Sequence, residues 1–181
     1  VAGLYVVMTA NGPVFFADTT INVNPTSEQL ADIAELTANS VSRLGIKPNI
    51  AMLSYSNFGS TSDENSKKVR NAVTILHERR PDLIVDGEIQ ANFAVNKKAL
   101  KDKFPFSDLV NKQVNVLIFP TLESGNIAYK LLQELSGFET IGPILIGLKK
   151  AIHILQFGAG VKEIVNMTTL AVADAHNKKR K

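Results

Sequence analysis

"VNVLIFPTLESGNIAYKLLQEL", residues 114–135, is the clearest strand-to-helix unit of this 181-residue chain. A continuously apolar run ends at Pro120, and a helical pattern begins at once, with Ser124 as its predicted cap. A strand that is apolar on both faces is typical of a parallel sheet covered by helices. A helix directly after such a strand is the connection that a parallel sheet needs. This stretch therefore predicts an α/β unit.

Similar units lie on both sides of it. Upstream, "NPTSEQLADIAELTANSVSRLGI" predicts a helix, because Thr26 and Gln29 have capping-box spacing and Gly45 can end the helical pattern. Val69, Ala72, Val73 and Leu76 give a second helix its apolar stripe. The predicted strands are "NIAMLSYS", "LIVDGEIQ", "GPILIGL" and "AIHILQ", and "VKEIVNMTTLAVADAH" predicts the last helix. Strands and helices therefore alternate along the chain.

The first residues differ from this alternation. "LYVVMTANGPVFFADTT" predicts a hairpin, since Asn11-Gly12 is the dipeptide that best tolerates the positive φ angles of a tight turn. We therefore predict a three-layer α/β/α fold with a mostly parallel sheet and an antiparallel hairpin at one edge. Residues 1–175 form this unit, and residues 176–181 are expected to be a disordered basic tail.

Composition excludes several classes of function. The chain has no cysteine, and its three histidines are far apart, so we expect no metal site. The net charge of +3 depends on the last four residues, "KKRK"; without them 16 basic groups face 17 acidic ones. We expect no nucleic-acid partner and no membrane partner, because there is neither a basic aromatic platform nor a long apolar run. A cytoplasmic location is expected, and the start at Val1 suggests a piece of a longer protein.

Two turns at predicted strand ends carry polar groups that can serve a ligand or the fold. "SYSNFGST" places Ser54, Asn57 and Ser60 before a helix, where free N–H groups can hold an anion. The alternative is ordinary helix capping, and the lysine spacing of a P-loop is absent. "VDGEIQ" carries Asp86 and Glu88, which are either an acid–base or cation-binding pair or simply turn-stabilising carboxylates.

Two later turns have the same ambiguity. After Pro120, Asn126 and Lys130 either point into a cleft or belong to a capped helix with an exposed lysine. "AIHILQFGAG" offers only a weak anion site, because Gly158 and Gly160 alone are not a nucleotide-binding motif. His153 in this run is more often a packed core residue than a catalyst. From the residues alone, the prediction stops at an α/β domain with ligand-type loops.

Read together, the turns resemble the consecutive motifs of the phosphate acetyl/butyryl transferases. The matching stretches are "FFADTTINVNPTSEQLADIA", "LSYSNFGS", "PDLIVDGEIQANFAV", "VNVLIFPTLESGNIAYKLLQEL" and "GPILIGLKKAIHILQFGAGVKEIVNM". The resemblance extends from about Tyr5 to about Ala175 and covers only the second half of such an enzyme. "SYSNFGS" and "VKEIVNM" are most similar to the C-terminal transacetylase-like domain of hybrid NADP-dependent malic enzymes.

The chain departs from the family pattern at the turn that supports acetyl transfer. The family typically reads "NDLSRGCS" there, and this chain reads "HILQFGAG", so Gln156 replaces the serine and Phe157 replaces the arginine. Glu163 stands where a functional aspartate is usual, and Phe58 stands where the family's "STKGS" motif has lysine. Losing a charge-assisted contact to acetyl phosphate costs about 2–4 kcal/mol. That is roughly 30- to 1000-fold in rate.

The resemblance thus implies an acetyl-CoA-sensing regulatory domain without transferase activity, and no catalytic residue is assigned. The predicted effector cleft is lined by Ser54, Asn57, Ser60, Asn126, Lys130, Gln156 and Glu163. NADP and a divalent metal, Mg or Mn, are expected only in a malic enzyme domain outside this chain. A homodimer or higher homo-oligomer is expected. The alternatives are an active phosphate acetyltransferase and a purely structural dimerisation module.

Overall fold

The strands of this protein form one mixed six-stranded sheet. A computed structural model describes residues 1–179. The strands are β1 (Ala2–Thr9), β2 (Gly12–Ala17), β3 (Asn49–Leu53), β4 (Ile84–Ile89), β5 (Val116–Ile118) and β6 (Thr140–Ile146). The helices are α1 (Ser27–Arg43), α2 (Glu64–Arg79), α3 (Ala91–Val95), α4 (Lys97–Lys103), α5 (Leu122–Ser136) and α6 (Val161–Lys179).

The strand order is β4-β3-β5-β2-β1-β6. β4, β3, β5 and β2 run parallel to one another, whereas β1 is antiparallel to both β2 and β6. The predicted fold class is confirmed. The hairpin lies on the antiparallel side of the sheet, and β6 adds one strand outside it.

Strand periodicity divides the core between the two faces of the sheet. Leu4 and Phe15 join the cluster that packs under α1 and α2, together with Met167 of α6. Tyr5 and Phe16, one residue further along each strand, join the cluster under α3, α4 and α5. Because successive side chains of a strand point to opposite faces, these apolar strands are buried on both sides.

Helix starts follow the capping chemistry of the sequence, with one shift. Thr26 and Gln29 form the predicted capping box of α1. α5 begins earlier than predicted, because Thr121 is its cap and Ser124 supplies the reciprocal side-chain bond. Thr121 Oγ1 accepts from Ser124 N–H and Ser124 Oγ accepts from Thr121 N–H, so both hydroxyls are capping groups and composition alone does not show which of them starts the helix.

Three local predictions need correction. The hairpin turn consists of Ala10 and Asn11, and Gly12, with φ of 108°, already belongs to β2. Residues 151–156, predicted as a strand, are irregular and do not join the sheet, although β6 is an edge strand, because an apolar run becomes a strand only where the chain lies alongside a strand edge. Residues 176–179, predicted as tail, continue α6, and residues 180–181 lie outside the described part of the chain.

Within the described residues, no helix combines the length and the apolarity that a bilayer crossing requires.

Candidate functional site

The connections of the sheet create a crevice between β3 and β5. α2 follows β3 and packs on one face of the sheet, whereas α5 follows β5 and packs on the other. In open α/β sheets, ligands bind outside the carboxyl ends of strands at such a switch point. Ser54, Asn57 and Ser60 lie in the turn after β3, so the fold places them at this edge.

The polar groups of this turn are engaged within the turn itself. Asn57 N–H donates to Ser60 Oγ at 3.0 Å, and Thr61 N–H donates to Ser56 Oγ at 3.2 Å. Ser56 N–H donates to Ser54 Oγ at 3.2 Å. The Asn57 side-chain oxygen accepts from the N–H of Gln90 at 2.9 Å. These hydrogen bonds therefore stabilise the turn, and the cap of α2 is Asp63 instead.

A buried carboxylate, that of Glu88, fixes the position of this turn through hydrogen bonds. Glu88 is fully buried and accepts from Ser56 Oγ at 2.8 Å and from Gly59 N–H at 2.9 Å. Arg70 of α2 donates to it through Nε at 2.9 Å and Nη2 at 2.8 Å. Burial acts to raise the pKa of Glu88, but these hydrogen bonds outweigh burial and hold the pKa below its ordinary value. Glu88 is thus an ionised positioning group.

Asp86 and Glu88 do not act as a pair. The register between β3 and β4 shifts at Met52/Leu53, so Glu88 is the extra residue of a bulge. Asp86 accepts from Ser107 Oγ at 2.6 Å and from Asp108 N–H at 3.0 Å. The turn-stabilising alternative is therefore the one that the contacts support. Among the described residues, no cluster of acidic or histidine side chains has the arrangement of a metal site.

Lys68 is a cation at the crevice that sequence reasoning missed. Its Nζ donates to Asn24 Oδ1 at 2.8 Å and to the carbonyl oxygen of Pro120, at the end of β5, at 3.0 Å. Desolvation lowers the pKa of Lys68. An exposed-looking "SKKVR" helix pattern gives no signal that one lysine reaches across to another strand end.

A pocket between α5 and α6 brings three predicted residues together. This α5–α6 pocket has a volume of about 270 Å³ and is lined by Lys130, Gln156 and Glu163, with Tyr5 and Tyr129 at its base. The two tyrosine rings stack with centroids 4.0 Å apart. Burial and the hydrogen bond with Tyr129 raise the pKa of Tyr5, so its hydroxyl stays protonated at neutral pH.

The segment that borders this pocket offers few free groups. Gln156 Nε2 donates to the Tyr5 hydroxyl at 3.1 Å, and Glu163 Oε2 accepts from Gly160 N–H at 2.7 Å, where it caps α6. The ring of Phe157 is fully exposed. Lys130 is the exposed cation of the pocket wall. Asn126, the remaining predicted residue, instead donates to the carbonyl oxygen of Thr19 at 3.3 Å.

The fold and these turns define a phosphotransacetylase-like α/β domain. The family model described as phosphate acetyl/butaryl transferase matches residues 1–172, and the chain belongs to this family.

Two kinds of relatives share this domain. The chain is 41% identical over 174 residues to an NADP-dependent malic enzyme of Haemophilus influenzae, covering 96% of the chain and 23% of that protein. It is 43% identical over 165 residues to a phosphate acetyltransferase of Clostridium acetobutylicum, covering 91% of the chain and 49% of that enzyme. The chain thus spans about a quarter of the first relative and half of the second.

Solved structures agree with the sequence relatives. A phosphotransacetylase from Streptococcus pyogenes superposes with a TM-score of 0.91 at 38% identity, covering 97% of this chain and 54% of that one. EutD phosphotransacetylase from Staphylococcus aureus gives a TM-score of 0.88 at 32% identity, covering 96% and 54%.

Proposed function

We propose that this chain is the acetyl-CoA-responsive, phosphotransacetylase-like domain of a cytoplasmic NADP-dependent malic enzyme, and that it does not transfer acetyl groups. In this proposal, malate oxidation with NADP and a divalent metal belongs to another part of the protein. The observation that supports the proposal is the identity of residues 156 and 157 and where their side chains lie. Gln156 is bonded to Tyr5 and Phe157 projects into solvent, so neither a serine hydroxyl nor a guanidinium serves the pocket at these positions.

The α5–α6 pocket is the proposed site for the acyl end of the effector. Its volume of about 270 Å³ lies just below the range of roughly 300–1,000 Å³ that accommodates drug-sized ligands. An acetyl thioester fits such a space, and the nucleotide end would lie outside it. Lys130 on the rim would attract the anionic part of the ligand through its charge.

Regulation follows from differential binding. An effector shifts a conformational equilibrium only by as much as its affinity differs between the two states. α6 forms one wall of the pocket and packs on β6, so occupancy of the pocket would favour one placement of α6 over another. That is the proposed route by which acetyl-CoA acts on the rest of the protein.

The test is an acetyl-CoA titration of the intact protein while malate-dependent NADPH production is recorded. A change in rate is expected, and it should weaken in Gln156→Ala. Gln113→Ala is the matched control, because Gln113 lies on the other side of α5 and does not line this pocket. An NADPH rate that does not respond to acetyl-CoA contradicts the proposal.

A second candidate is an active phosphate acetyltransferase, and the 43% identity to the Clostridium acetobutylicum enzyme favours it. It predicts formation of acetyl-CoA from acetyl phosphate and CoA by the intact protein. Clear turnover that is lost in Gln156→Ala would establish this activity and remove the non-transferring proposal.

A further inference from the structure

His153 is a buried titratable residue that has no part in the α5–α6 pocket. It lies in residues 147–160, the segment without helix or strand that joins β6 to α6. Its side chain is 3% exposed. Histidine is the side chain whose charge ordinarily changes between pH 5 and pH 8. The groups that face the imidazole therefore decide whether a change of pH in this range affects the fold around it.

Two charged side chains of neighbouring helices lie close to His153 and to each other. Nε2 of His153 is 3.7 Å from Oδ2 of Asp174 on α6. Oδ1 of the same carboxylate is 4.0 Å from Nη2 of Arg43 on α1, and this Nη2 also donates to Ser40 Oγ at 3.0 Å. Asp174 thus lies between a permanent cation and a side chain that becomes a cation on protonation, and each uses a different carboxylate oxygen.

The His153 cluster, which consists of His153, Asp174 and Arg43, borders a small cavity of about 40 Å³. The other lining residues are mainly apolar, and β1 and β6 contribute no titratable group to the cavity. Lys149 and Lys150, in the segment itself, are exposed. Because the imidazole is surrounded by protein, water and salt screen its interaction with the carboxylate less than they screen a surface pair.

We infer that His153 is a pH-sensitive latch between the segment 147–160 and α6. Protonation of the imidazole converts its contact with Asp174 into an ion pair, which holds the segment against the second half of α6. Loss of the proton removes this attraction and leaves Asp174 with the Arg43 contact. His153 is therefore a positioning residue whose effect depends on its charge.

The latch connects two walls of the α5–α6 pocket. Gln156, three residues after His153, lines the pocket from the segment, and Glu163 lines it from α6. An ion pair between segment and helix therefore fixes these two walls relative to each other. This latch does not require that the chain bind acetyl-CoA.

The latch should close as the pH falls. The ion pair needs a protonated imidazole, so its contribution is present at low pH and is lost as pH rises through the titration of His153. Carboxyl groups ordinarily take up protons well below this range, so the carboxylate partner is retained. Met167 is the residue of α6 in the buried core, so one additional ion pair should measurably reduce the local opening of this helix.

Amide hydrogen exchange of the intact protein at pH 5.5 and pH 7.5, corrected for the intrinsic exchange rates, tests the latch. Protection of α6 relative to α1 should be about fivefold higher at pH 5.5 than at pH 7.5. This difference should be lost in His153→Asn and in Asp174→Asn. His176→Asn is the matched control, because His176 is an exposed histidine of the same helix, and it should keep the difference. Equal protection at the two pH values, or higher protection at pH 7.5, overturns the assignment.

A second measurement does not depend on how well the variants fold. Exchange of the C2 hydrogen of each histidine of the unmodified protein, followed by mass spectrometry as a function of pH, gives the pH at which each imidazole is half protonated. The midpoint for His153 should coincide with the midpoint of the change in α6 protection. A His153 that does not titrate between pH 5 and pH 8, or a change in α6 that follows His176 instead, contradicts the latch. The acetyl-CoA response is measured separately, so failure of one proposal leaves the other intact.

Discussion

The side chain of Glu88 is fully buried. In a regular strand it would lie on the same face of the sheet as Asp86, two residues earlier. The extra residue of the bulge redirects the side chain towards Arg70 and Ser56. Gly87 makes the bulge feasible, with φ of 145° and with Met52 O 2.5 Å from the place of a Cβ. The sequence "VDGE" shows the glycine that the bulge needs. It does not show the register in which β4 pairs with β3, so the sequence could not decide whether the two acids form a functional pair or stabilise turns.

Substitution of Glu88 by glutamine should lower the free energy of unfolding by about 1–3 kcal/mol, because the buried side chain loses its charge-assisted hydrogen bonds, whereas Arg70, which is 38% exposed, keeps contact with water. Urea unfolding at pH 7 measures this change. Asp82→Asn is the control, since Asp82 is exposed and pairs with Arg80 at the surface. Equal unfolding midpoints for Glu88→Gln and the unmodified protein would show that the pair does not hold the turn.

At the scale of elements, the sequence predicted best where a helix or strand satisfies its own pattern. The α1 stripe and capping box are local, and both are present. The run 151–156 looks like a strand but forms none, because a strand needs a second strand alongside it, and no local pattern shows where the chain will lie. The α5–α6 pocket escaped prediction for the same reason, because Tyr5 is 151 residues from Gln156.

α5 approaches β2 closely at one glycine. A Cβ at Gly125 would lie 2.6 Å from the carbonyl oxygen of Asp18 and 3.3 Å from Phe119, so α5 would have to shift. Gly125→Ala should cost about 1–3 kcal/mol by overpacking, as measured by thermal or urea unfolding. Gly160→Ala is the matched control, because its Cβ would meet only Glu163 Oε2 at 3.8 Å. Equal stability of the two variants would argue against this close approach.

α6 should open more readily than α1. α1 buries seven residues, among them Leu30, Ile33 and Val41. α6 contributes Met167 to the core, and Ile164, Val165 and Val172 are exposed. Few buried apolar contacts lower the free energy of local unfolding. Amide hydrogen exchange should therefore be faster in α6 than in α1, and Met167→Ala should lower the protection of α6 more than that of α1. Equal protection in the two helices would count against the difference.

For the molecule as a whole, alternation of strands and helices was enough to predict the layers, because a sheet that is apolar on both faces must be covered on both. The pattern did not predict the strand order, which depends on long-range pairing such as β2 with β5 and β1 with β6. The order decides which turns share a crevice. That is why the seven predicted cleft residues divide between the crevice, the α5–α6 pocket and the contact of Asn126 with Thr19.

As pH is lowered into the acidic range, the free energy of unfolding should decrease more steeply in the unmodified protein than in a variant without the Glu88 carboxylate. Glu88 has an ordinary pKa of 4.5 in the unfolded chain and a lower one in the folded protein. Between these two values the unfolded state binds more protons, so the free energy of unfolding rises with pH. The stabilisation is therefore complete above pH 4.5 and is lost as pH falls through the folded pKa.

Urea unfolding of the unmodified protein and of Glu88→Gln from pH 7 to pH 3 tests this dependence. The difference between the two should be constant above about pH 5 and should shrink towards pH 3, because a protonated Glu88 also leaves Arg70 without a partner charge. The pKa values of Asp63, Asp82 and Glu139 are also lowered, but these groups titrate in both proteins and cancel in the difference. Parallel curves over the whole range would mean that the buried ion pair is not what gives the fold its acid sensitivity.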